Sequence, residues 1–196
     1  MKSKREQLDE LNAYWKENCI CELKKTATQA VFGAGNAESD IVFIGEAPGK
    51  SEDRDGIPFV GAAGKFLNEM LENIGKKRED IYITNIVKYR PPDNRDPEPK
   101  EKADCNEWLI NELKIISPKL IVFLGRHSMT RFFPTEKISE IHGKLLIKPT
   151  VEFGKQAFFP LYHPAAALYN GGMRETLIKD FNKIPQALEK INNSVS

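Results

Sequence analysis

The sequence predicts an α/β fold: a three-layer α/β/α sandwich around a central, mostly parallel four-stranded sheet. Short β-branched runs alternate with longer amphipathic stretches along the chain, the pattern of a sheet covered by helices on both faces. The 196 residues, 40% of them hydrophobic, are enough for one domain with a real core, expected to span residues 1–196. Glycine, amide and imidazole groups also gather where the apolar runs end, and ligands of open α/β sheets bind outside those carboxyl ends.

The elements follow in order. Leu8, Leu11 and Trp15 recur at helical spacing, which predicts an N-terminal helix over about 3–17, with the core over about 18–191. IVFIG (41–45) reads as a buried strand. Phe66, Leu67, Met70, Leu71 and Ile74 mark a helix that stops at Gly75. IYITNIV (81–87) is the second strand. RPPDNRDPEP (90–99) holds four prolines and reads as a loop. A helix over about 99–116 buries Cys105, Leu109, Leu113 and Ile116. LIVFLG (120–125) is the third strand, followed by a short helix. Residues 145–163 read as a hairpin whose second arm is a buried strand. Leu177, Phe181, Ile184, Leu188 and Ile191 form a last helical stripe, with a kink expected at Pro185.

Bulk composition excludes little. The net charge is +1, from 29 basic and 28 acidic residues, so a basic surface for nucleic acid would have to be local. No apolar run approaches the roughly 18 residues of a membrane span. The charged N-terminus has no signal-peptide core, and a cytoplasmic protein is expected. Three cysteines, Cys19, Cys21 and Cys105, argue against a disulfide framework, and C-x-C spacing is a weak metal signal.

The stretch IVFIGEAPGKSEDRDGIPFVGAAG (41–64) has the layout of a phosphate loop, yet its turn carries Glu46, Glu52, Asp53 and Asp55. Asn85 near the end of the second strand and His163 after the last complete a predicted crevice. Each alone has a structural reading: a tight turn, a local backbone bond, a strand end.

Together with TQAVFGAGN (28–36), YITNIVKYRPPDNRDPEP (82–99), LIVFLGRHSM (120–129) and YHPAAAL (162–168), these segments make the chain resemble the family 4 uracil-DNA glycosylases. The similarity runs from about residue 18 to 181. It implies an enzyme that flips uracil out of single- or double-stranded DNA and hydrolyses its N-glycosidic bond, leaving free uracil and an abasic site. A monomer without membrane association is expected.

The resemblance assigns roles by position. Asn85 reads the base: uracil offers an N3–H donor beside an O4 acceptor, and cytosine reverses that edge. Phe59 stacks on the base, and Glu52 lies near its C5 edge. Gly45, Ala47 and Gly49 belong to the turn whose backbone N–H groups approach the base. His163 faces uracil O2, where charge develops as the bond breaks. Ala47 stands where related families place a water-positioning Asp or Asn, which leaves Glu46 and Asn94 as candidates for the water. Leu168 is the apolar wedge that fills the space the base vacates. Lys50, Lys88, Arg90 and Arg95 are candidate phosphate contacts.

The resemblance also implies a [4Fe–4S] cluster on four cysteines. Aligned here, those positions hold Asn18, Cys21, Tyr89 and Cys105. A cluster needs sulfur ligation, so apolar packing around Tyr89 is the expectation, with no cofactor required for the chemistry. Two other readings stand: a weak or inactive uracil-DNA-binding module, and a glycosylase for another deaminated base such as hypoxanthine.

Overall fold

The computed structural model describes residues 2–193. Six strands form one sheet: β1 (Ala34–Gly35), β2 (Ile41–Gly45), β3 (Tyr82–Asn85), β4 (Leu120–Leu124), β5 (Leu146–Thr150) and β6 (Gly154–Leu161). Their order is β1-β3-β2-β4-β6-β5. The inner four, β3-β2-β4-β6, run parallel, and the expected four-stranded sheet is this central part. Antiparallel β1 and β5 close the two edges and bring the total to six. β1 is two residues long, too short to leave a periodic signal.

The helices are α1 (Lys4–Asn18), α2 (Lys50–Asp55), α3 (Ala62–Asn73), α4 (Pro99–Ile116), α5 (Arg126–Thr130), α6 (Ile138–Ile141), α7 (Gly171–Phe181) and α8 (Ile184–Asn193). Ser3 starts α1 through a reciprocal capping pair with Glu6. None of the helices is long and apolar enough to cross a membrane.

Alternation along the strands builds two cores. Val42, Ile44, Tyr82, Ile121, Phe123 and Phe158 face one side and pack with α1, α4 and the α5–α6 segment. Ile41, Phe43, Ile83, Val122 and Phe159 face the other and pack with α3, α7 and α8. This gives the three layers. On the first side Trp15 stacks on Trp108, ring centroids 6.2 Å apart, and Trp108 donates to Asn12 Oδ1 at 3.0 Å.

Two expected elements are shorter than their sequence patterns. The second strand ends at Asn85, because Ile86 and Val87 turn to donate to the carbonyls of Gly45 and Glu46. The last helical stripe is two helices and not one kinked helix. Proline removes a backbone donor and crowds the carbonyl four residues back, here that of Phe181, where α7 ends.

β2 lies between β3 and β4, so the chain leaves it in one direction and returns across it in the other. This is a topological switch point, and the crevice at the carboxyl ends of β2 and β3 is where such sheets hold ligands.

Candidate functional site

A cavity of about 360 Å³ opens at that crevice. Its lining includes Glu46, Ala47, Gly49, Glu52, Phe59, Asn85, Asn94 and His163, eight of the residues singled out from sequence. Gly45 lies beneath it, and Leu168 stands outside on the turn after His163.

The floor is set by strand register, which pairs Gly45 with Asn85. A Cβ on residue 45 would lie 2.4 Å from Asn85 Oδ1 and 2.5 Å from the Phe59 ring. Only glycine lets the three meet. Asn85 is 2% exposed, and its Oδ1 is buried without a hydrogen-bond partner. A buried amide oxygen left unpaired costs about 1–3 kcal/mol, so a donor is due at this point of the cavity.

Phe59 forms a wall. Its backbone is left-handed, with φ 55°, which non-glycine residues adopt rarely. Two contacts hold it there. Arg78 donates to the carbonyls of Pro58 at 2.5 Å and Phe59 at 2.8 Å. α3 packs against the same turn so closely that a Cβ on Gly64 would lie 1.8 Å from the Phe59 carbonyl oxygen. Sequence reasoning missed Arg78, which lies outside every motif segment.

Glu52 lines the cavity, but its carboxylate is engaged. Oε1 accepts from the N–H groups of Val60 at 2.9 Å and Gly61 at 2.8 Å, and Oε2 from that of Gly49 at 3.1 Å. It clamps the GEAPG turn to the Phe59 turn. Asp53 is likewise structural: it accepts from the backbone and the hydroxyl of Thr28. Two of the loop's acidic residues are thus spent on the fold.

His163 Nδ1 accepts the Ala165 N–H at 3.1 Å. The proton of the neutral ring therefore sits on Nε2. Burial, with His127 adding to it, depresses its pKa to about 4. Its ring lies 5.7 Å from that of Phe59, tilted by 30°. The site offers a neutral imidazole N–H donor beside an aromatic face.

Burial, with Asp96 nearby, raises the Glu46 pKa to about 7. Asn94 is exposed at the mouth, where its Oδ1 accepts from Arg90 Nε at 2.7 Å. Leu168 is 39% exposed and Tyr169 is 92% exposed, an apolar tip on the turn after His163.

Lys88 is not a surface cation. It is fully buried, paired with Glu112 at 2.6 Å, and donates to the Asn85 carbonyl at 3.1 Å and to the Thr84 hydroxyl. Arg95 lines the cavity with its guanidinium on Glu101, at 2.6 and 2.9 Å. Lys50 remains an exposed cation.

The cluster implied by resemblance does not fit these residues. Asn18 is exposed and donates to the Tyr14 carbonyl, whereas Cys19 turns inward. Cys19, Cys21 and Cys105 are buried free thiols, and the proximity of Cys105 lowers the pKa of both others. Asn18 and Tyr89 offer no sulfur at the other two aligned positions. The Tyr89 hydroxyl faces the trio without a hydrogen-bond partner, its pKa pushed up by burial and by the thiols. Cys21 also donates to the Glu101 carbonyl at 3.7 Å, which links the thiol region to the Arg95 loop.

The family profile described as the uracil DNA glycosylase superfamily matches residues 32–192. The type-4 uracil-DNA glycosylase of Archaeoglobus fulgidus is 47% identical over 176 residues, 87% of each chain. That of Saccharolobus solfataricus is 46% identical over 174 residues, 86% of this chain and 80% of its own. That of Thermotoga maritima is 39% identical over 189 residues, 95% of this chain and 97% of its own.

Proposed function

Because the chain belongs to the uracil DNA glycosylase superfamily, we propose that it is a monofunctional uracil-DNA glycosylase of DNA repair, releasing free uracil and leaving an abasic site. The observation that carries this reading is the unpartnered Asn85 Oδ1 at the floor of the cavity. Uracil N3–H supplies the donor it lacks, and the same amide's NH2 donates to O4. Cytosine presents N3 as an acceptor and leaves Oδ1 unpaired.

The flipped base stacks on Phe59. As the glycosidic bond breaks, its electron pair moves onto the uracil ring, and Nε2–H of neutral His163 faces the negative charge that gathers at O2. A donor fixed before reaction needs no reorganisation. Water adds its oxygen to C1′ of the cationic sugar, and Glu46 takes the proton; Asn94 is the alternative group at the mouth. Glu52 holds the two turns that shape the C5 side. Leu168 occupies the gap left in the base stack. The chemistry calls on no cofactor.

The chain works as a single-domain cytoplasmic monomer on uracil in single- and double-stranded DNA, and Lys50 and Arg90 contact phosphate. Incubation with uracil-containing oligonucleotides tests the reading. Free uracil and alkali-labile sites are expected, with strands intact before alkali. No uracil release, or tight binding without turnover, overturns it. Parallel oligonucleotides with hypoxanthine or cytosine are expected to stay intact.

A further inference from the structure

Glu46 is backed by a residue that no role above uses. A second cavity, of about 290 Å³, adjoins the first, and Glu46 and His163 line both. His127 lines the second and not the first. Its Nδ1 lies 3.3 Å from Glu46 Oε1, and its Nε2 lies 3.3 Å from Asp96 Oδ2. Arg126 Nε donates to His127 Nε2 at 3.1 Å. Nε2 is therefore the acceptor, and the ring proton sits on Nδ1, toward Glu46. Glu46 Oε1 is sealed from solvent and lacks a hydrogen-bond partner, and His127 Nδ1, at 3.3 Å, lies nearer to it than the Lys102 ammonium at 4.0 Å. That leaves Oε2 as the oxygen able to meet water in the first cavity.

We propose that His127 is a positioning residue, which donates Nδ1–H to Glu46 Oε1 and so turns the free oxygen of that carboxylate toward the hydrolytic water. This rests on the assignment of Glu46 to the water. The imidazole stays neutral throughout, and the water's proton goes to Glu46. Burial, the first cause, lowers the His127 pKa and keeps the ring in that state.

The other charged groups around Glu46 come from three elements. Asp96 precedes α4 and raises its pKa, whereas Lys102 on α4, 4.0 Å from Oε1, and Arg126 on α5 lower it. His163, after β6, completes the ring of ionisable groups. A donor to the charged form of Glu46 favours ionisation, so its loss inside a buried site moves the Glu46 pKa upward.

The test is a pH–rate profile on uracil-containing DNA, with kcat and KM separated. His127→Leu keeps the volume and removes the donor. Its kcat is expected to fall roughly tenfold with KM within about twofold, and its acid limb to move up by about one unit. His127→Asn restores a donor, and its limb is expected to stay where the unmodified enzyme has it. An unmoved limb in His127→Leu overturns the proposal, whatever happens to kcat. So does a Glu46→Gln enzyme that keeps the limb, and uracil release by the unmodified protein separates that failure from failure of the glycosylase reading. Should the leucine variant not fold, nitrogen NMR of the unmodified protein decides: an Nδ1–H tautomer at His127 is expected, and an Nε2–H tautomer overturns the proposal.

Discussion

Gly45 and Asn85 face each other across β2 and β3, so closely that a methyl group on residue 45 would lie 2.4 Å from the Asn85 amide oxygen. The amide proposed to read the base thus rests on a glycine. Gly45→Ala is expected to displace Asn85 and Phe59 together and to lower kcat/KM for uracil-DNA by at least about a hundredfold, the larger effect of a misplaced reacting group. Steady-state kinetics check this, with circular dichroism to confirm the fold. Near-normal kinetics would show that the floor yields without cost.

Asn85→Ala removes the proposed partner of uracil N3–H and also relieves an unpaired buried oxygen in the free protein. Activity is expected to fall by roughly ten- to a hundredfold, about 1–3 kcal/mol. The apo protein is expected to be no less stable. Thermal melts and excision kinetics together separate the two effects.

His163 is held neutral, so its titration lies below the working range. With a folded pKa of about 4, it places no limb on the activity profile above about pH 5. Glu46, as the proposed acceptor of the water's proton, is expected to supply a limb near pH 7, with activity rising as pH increases through it. On stability the signs oppose. The unfolded chain protonates His163 more readily, so that contribution is lost as pH falls from 6.5 towards 4. Glu46, with its folded pKa raised from 4.5 to about 7, loses its contribution as pH rises through that interval. Urea titrations of His163→Ala and Glu46→Gln, compared with the unmodified protein, check both directions.

The Lys88–Glu112 pair is buried directly behind Asn85. Lys88→Met leaves Glu112 charged and unpaired, and is expected to cost roughly 3–5 kcal/mol in urea denaturation. Lys88→Met with Glu112→Leu is expected to recover much of that loss. A single variant as stable as the parent would sink the assignment of a mutually dependent pair.

The thiol trio is expected to hold no iron. Protein purified without oxygen should lack stoichiometric iron and sulfide, and chelator treatment should leave excision unchanged. Finding both elements in stoichiometric amount would overturn the packing account of Tyr89.

The sheet and its switch point were legible because buried strands and amphipathic helices impose periods on the chain. The cavity lining was legible because short segments at strand ends carry its chemistry. Contacts between distant segments left no such mark. Lys88 reads as one more cation beside Arg90 until Glu112, on α4, is brought against it. Arg78 meets the Phe59 turn and His127 approaches Glu46 only through tertiary packing. At the N-terminus, alignment pointed to Asn18, but the end of α1 turns that side chain back onto Tyr14 and sends Cys19 inward.

The stack of Trp15 on Trp108 has an optical consequence. These are the chain's two tryptophans, and Tyr89 meets Trp108 edge-on at 6.3 Å. The protein's tryptophan emission therefore originates between α1 and α4, beside Tyr89, while the cavity lining holds no indole. A change in tryptophan emission on adding DNA would report rearrangement around Tyr89 and α4 rather than a base stacking on an indole, and needs no attached dye.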